Sequence, residues 1–279
     1  MKRPNSRAWY AAVASIFFIA ANNVQYLTRF LGLRRFLQPM AIGGVRNFLQ
    51  VILCFFGVSL AHGSGFRKSA RELGMGAPIQ RAFVFSFIAS LPMLLGFALT
   101  SRMNPNMTFL GVGVGCFLAP FAEEVLFRGY LFRQLYRRAR LGFWASALIP
   151  SVLFALGHVY QSTEFWELVG ILAITGLGSI VGCWIFSRWQ DNLWAVCGLH
   201  SLMNLWWEVF AVDHTALGGW LANVARLLTI ALAVVLTIYK HRIWKPLPIE
   251  GENVLIAHDK EEVKGDGGKM WSLARPALT

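Results

Sequence analysis

The chain has 279 residues, of which 56% are hydrophobic and only 14% charged, with a mean hydropathy of +0.51. A soluble domain carries about 25% charged residues, so this composition excludes an ordinary soluble enzyme. The apolar excess is enough for about eight spanning helices of roughly 20 residues each, and the expected class is an all-α, polytopic integral membrane bundle. The formal charge of +12 does not imply nucleic acid, because six of the 14 acidic residues but only four of the 26 basic ones lie after Pro246. The positive excess therefore sits between apolar runs, where basic residues hold orientation against the cytoplasmic leaflet. No nucleic-acid partner is expected. Cys54, Cys116, Cys183 and Cys197 are scattered singly in apolar stretches and read as small buried hydrophobes.

In chain order, the predicted spans cover 8–27, 41–62, 82–100, 109–132, 143–159, 168–186, 193–212 and 217–239. The first follows Lys2, Arg3 and Arg7 and reads as a retained span rather than a secretory signal. The expected organisation is N-terminal helices and loops over 1–108, a core over 109–212, a last spanning helix over 213–245 and a disordered cytoplasmic tail over 246–279. A cytoplasmic N-terminus puts Arg67, Lys68, Arg71 and Arg81, then Arg133, Arg137, Arg138 and Arg140, then Arg188, and finally Lys240, Arg242 and Lys245 on the inside. Both termini are then cytoplasmic, the expected location is the cell membrane, and Gln134 and Gln161 fall on opposite aqueous faces. Arg29, Arg34 and Arg35 in the first loop break this rule, and an interfacial amphipathic helix would accommodate them. The glycines of GVGVG (Gly111 to Gly115) and the pair Gly178 and Gly182 lack the context of a phosphate cradle and read as close helix packing.

Ionisable side chains inside spans cost on the order of 2.5 to 3.5 kcal/mol each, so they persist where they pair or work. They concentrate in three places: AEEVLFRGY with Glu123, Glu124 and Arg128, FALGH with Phe154 and His158, and HSLMN with His200 and Asn204. Glu124 and Arg128 are four apart with the acid first, the favourable order for a helical ion pair. Glu123 lies about 100° round the helix from Glu124 and is left without that partner. His200 and Asn204 share a helix face, as do Phe154 and His158, which places an aromatic wall beside an imidazole. Pro120 removes a backbone donor three residues before Glu123 and predicts a kink. By the helical rise all these groups fall near the middle of a core about 30 Å thick. An acid, two imidazoles and an amide at one depth make a credible hydrolytic centre.

These residues resemble the motifs EExxxR, FxxxH and HxxxN of the CAAX protease and bacteriocin-processing family of intramembrane proteases, which includes the Ras-converting CAAX endopeptidase. The match runs from about Phe109 to Trp207. The resemblance implies an intramembrane endopeptidase in which Glu123 activates water with help from His158. It further implies that His200 and Asn204 stabilise the oxyanion, and that Glu124, Arg128 and Phe154 support them. No cofactor is the preferred expectation; the alternative is zinc held by Glu123, His158 and His200, although HExxH is lacking. Expected partners are membrane lipids and a peptide or lipidated protein substrate. A proton-coupled transporter, or a non-catalytic scaffold of the same fold, is the competing reading.

Overall fold

The structure, a computed structural model, describes residues 6–243, so the expected tail over 246–279 lies outside the described residues. Two compact units divide the chain, Met1–Tyr239 and Lys240–Thr279. Of the second, only the short helix Lys240–Ile243 is described.

The first unit is an all-helical membrane bundle, with no strand among the described residues. Its helices are α1 (Arg7–Asn22), α2 (Val24–Phe30), α3 (Pro39–His62), α4 (Phe66–Glu72), α5 (Ile79–Thr100), α6 (Phe109–Arg138), α7 (Phe143–Leu156), α8 (Phe165–Arg188), α9 (Leu193–Val209) and α10 (Trp220–Ile238). Local chemistry sets several ends. Ser6 caps α1 by accepting from the Trp9 amide at 3.2 Å, Pro39 occupies the first turn of α3, and Gly63 ends α3 with a left-handed φ of 60°. Apolar side chains such as Phe56, Leu95, Val152 and Leu227 are exposed on the outside of the bundle, as hydrocarbon requires of its solutes.

Six helices are long and apolar enough to cross a membrane, and the bent pair α1 and α2 makes a seventh. The expected count of eight is therefore approximate. Its remaining member, α9, has 17 residues. It nonetheless runs between the same two ends of the bundle as α5, to which it is closely packed. At one end Asn192 donates to the Pro78 carbonyl, and at the other Asn104 donates to the carboxylate and the main chain of Glu208.

Helix α6 is the centre of the bundle and touches α1, α3, α7, α8 and α9. All eight residues Val125–Phe132 are buried, which is how a helix enclosed on every side differs from one with a lipid-facing stripe. It runs through Pro120 as one helix of 30 residues. In place of a separate break, wide π-helical turns at Val112–Leu118 and Val125–Phe132 flank the regular segment Ala119–Glu124. Pro120 stands at the start of that segment, where its missing amide meets the handover between hydrogen-bond patterns.

The glycine expectations need correction. Gly113, Gly115 and Gly178 have no atom near a would-be side chain, so they mediate no close contact. Close approach to α6 comes from α3 instead, where a Cβ added at Gly57 would collide with the Tyr130 phenol. Gly182 does matter, but as room for a guanidinium: a Cβ there would lie 3.0 Å from Arg128 Nη2. Gln134 is not at an aqueous face either. It is buried and pairs with His62 Nε2 at 3.0 Å, because α6 continues to Arg138 rather than ending at Phe132.

Candidate active site

The three motifs converge around the middle of α6. Glu124 Oε1 accepts from Arg128 Nη1 at 2.9 Å and from His200 Nδ1 at 2.8 Å, so one carboxylate oxygen joins α6 to α9. Both partners of the ion pair are buried. Sequence spacing predicts the arginine contact alone; the histidine contact crosses 76 residues and has no local signal. Glu123 is differently placed: its side chain is 36% exposed, and Oε2 lies 3.8 Å from His200 Nε2. The two adjacent acids thus take opposite environments: Glu124 is buried with Arg128 and His200 on one oxygen, and Glu123 is partly exposed.

Phe154, on α7, is the shared wall. Its ring centroid lies 4.9 Å from that of His158 and 6.3 Å from that of His200, and the Arg128 guanidinium stacks over it at 5.0 Å. Phe127 of α6 closes the wall edge-on at 5.1 Å. His158 lies just beyond the end of α7, since the helix stops at Leu156 before Gly157, and its Nδ1 is 2.9 Å from the Phe154 carbonyl. A carbonyl only accepts, so Nδ1 carries the hydrogen and Nε2 is the free position of the neutral ring. The same logic applies to His200, whose Nδ1–H is committed to Glu124. Both imidazoles therefore keep Nε2 for chemistry. Asn204 is half-buried one turn beyond His200 and makes no side-chain hydrogen bond among the described residues. The distances show neither Glu123 nor Asn204 bonded to His158.

Two buried polar atoms, Glu124 Oε2 and Arg128 Nε, have no protein partner. Such atoms are ordinarily met by water, so the cluster suits a wet pocket inside the bundle. No grouping of three or more His, Cys, Asp or Glu side chains among the described residues has a metal-ligand arrangement.

A second polar cluster escaped the sequence reading. At one end of the bundle Arg133 and Arg137 bind Asp191, while Arg133 and Arg138 bind Glu72. Arg137 meets Asp191 with two parallel contacts of 3.1 Å. The arginines that mark orientation in the sequence also clamp α4, the end of α6 and the turn before α9 together. Burial raises the Glu72 pKa, but the charges of Arg133 and Arg138 and the Arg138 hydrogen bond bring it, on balance, below the ordinary value.

The fold and this cluster define a class: a multi-pass helical membrane protein with acid, imidazole and amide side chains on its apolar helices. Residues 105–206 match the model of the Rce1-like family, the type II CAAX prenyl endopeptidases, so this stretch of the chain is similar to that family of intramembrane proteases. The resemblance carried by the three motifs is borne out. No curated protein and no solved structure matches the chain.

Proposed function

We propose that the protein is a glutamate-dependent intramembrane endopeptidase that cleaves a membrane-proximal or lipid-anchored peptide bond. The observation that carries this reading is the split of the two acids, which leaves Glu123 beside an open space with His200 Nε2 at 3.8 Å. Glu123 takes a proton from water as the water attacks the scissile carbonyl, and His158 Nε2 accepts a second hydrogen bond from the same water. His200, held through Nδ1 by Glu124, turns Nε2 towards the developing oxyanion; in this role the ring carries both protons. The Asn204 amide is the second donor. Glu123 then returns its proton to the leaving nitrogen. Arg128 pairs with Glu124, and Glu124 fixes the His200 ring, so these two position rather than react.

The preferred mechanism uses no metal, and the pocket opens to the cytoplasmic half of the membrane. A substrate must bring its scissile bond partway into lipid, which favours apolar or lipidated peptides over soluble ones. Purified protein in nanodiscs is expected to cut a lipidated reporter peptide after chelator treatment, and Glu123→Gln to abolish cutting while leaving the melting temperature unchanged. Full cleavage by Glu123→Gln removes that carboxylate from the mechanism. About one zinc per chain, lost with activity and restored with it, overturns the metal-free reading.

A further inference from the structure

We propose that the corner formed by α2, the single 3-10 turn Leu33–Arg35 and the start of α3 seats the phosphate of an anionic phospholipid, gripped by Arg29, Arg34 and Arg46. These three arginines line a small cleft of about 40 Å³ together with Gln25, Thr28 and Ile42. Thr28 is buried and donates to the Gln25 carbonyl, which fixes the floor of the cleft. Arg46 is half-buried, and its one side-chain hydrogen bond among the described residues is a long contact of 3.4 Å to Gln25 Oε1.

The counter-charge is what this corner lacks. Glu72 is the first acidic residue of the chain. Helix α2 packs on α1, on α3 and on the turn after it, all of which precede Glu72. No carboxylate pairs with Arg29, Arg34 or Arg46 among the described residues. The arginines at the opposite end of the bundle, by contrast, are neutralised by Glu72 and Asp191. Three guanidinium groups around one cleft with no internal anion call for an external one.

The surroundings identify its source. Tyr26, Phe30, Leu31, Phe36 and Met40 are exposed around the cleft, a collar of apolar side chains that belongs in acyl chains rather than in water. Arg46 lies about 10 Å along α3 from Pro39 by the helical rise, within reach of the headgroup layer by extending its stem. An anion held here is therefore a lipid phosphate. This also accounts for the basic first loop that runs against the charge rule: its positive groups are bound to lipid at a fixed place.

The test uses the full chain, purified in detergent and stripped of lipid. It is then offered phosphatidylglycerol, phosphatidylcholine or inorganic phosphate, with retained lipid counted by native mass spectrometry and the melting temperature followed. Wild type is expected to retain phosphatidylglycerol over phosphatidylcholine and to melt higher with it. Each arginine replaced by Gln lowers retention by about fivefold, the factor equivalent to about 1 kcal/mol per basic residue at a lipid surface. Arg46→Gln serves if the other single variants do not fold, and Arg102→Gln, at an exposed arginine outside the cleft, is the comparison. Unchanged retention in Arg46→Gln overturns the site. Equal loss in Arg102→Gln reduces it to diffuse surface charge and overturns it too, and displacement of phosphatidylglycerol by millimolar inorganic phosphate reassigns the cleft to a free anion.

Discussion

Glu124 carries an arginine and a histidine on one carboxylate oxygen, and the consequence for mutation differs from that at Glu123. Replacing Glu124 by Gln leaves Arg128 buried without its counter-ion, a loss of about 3 to 5 kcal/mol when one member of such a pair is removed. It also frees the His200 ring. Glu124→Gln is therefore expected to lower both the melting temperature in detergent and the turnover. Glu124→Gln combined with Arg128→Met should recover the first and not the second. Equal melting of Glu124→Gln and wild type would contradict a structural part for the pair. Much of this was legible in the sequence, because a four-residue spacing on a helix dictates contact. The bond from Glu124 to His200 was not, since it depends on how α6 and α9 are laid against each other.

Gly129, the residue after Arg128, shows the same dependence at the level of the helices. A Cβ at this position would lie 2.6 Å from the Leu73 carbonyl oxygen, in backbone that follows α4. Gly129→Ala must move either α6 or that loop, and a loss of about 1 to 3 kcal/mol is expected, typical of overpacking in a tight core. A melting temperature equal to wild type would show that the loop yields freely. The neighbouring clamp has a pH signature. Because the Glu72 pKa is lowered in the folded protein, the unfolded chain takes up this proton first as pH falls. The stabilisation is whole above the ordinary carboxylate range and disappears as pH drops through the lower, folded value. Wild type is expected to melt well above Glu72→Gln at about pH 7 and to lose that advantage towards about pH 3. An advantage independent of pH would remove the carboxylate as its cause. The sequence showed the arginines of this clamp only as orientation markers, because Glu72 and Asp191 lie far from them along the chain.

Across the whole molecule, the loops sort into two groups by contact, and this fixes which share a side. The segment with α4, the end of α6 and the turn before α9 form one face through Glu72, Arg133 and Asp191. At the other, Asn104 meets Glu208, and Gln161 accepts from the Ala216 amide. The first group carries most of the basic residues of the spans' flanks, so we propose that it faces the cytoplasm. In a background without cysteine, a Cys at the exposed Arg140 is expected to react with impermeant maleimide from the cytoplasm, and one at the exposed Thr163 from the opposite side. The reverse pattern would invert the route of the substrate. The sequence by itself determined the membrane class, the approximate spans and the three polar motifs, since hydropathy and helical spacing are local properties. It also carried the resemblance to the family whose model matches residues 105–206. Only the tertiary structure decided that α6 is enclosed on all sides, that Gly182 makes room for Arg128 and that Gln134 is buried. It likewise decided that one acid of an adjacent pair is buried and bonded to Arg128 and His200 while the other stays partly exposed. Each of these depends on which helix neighbours which, and in lipid, where apolar faces are all alike to the solvent, hydropathy does not encode that choice.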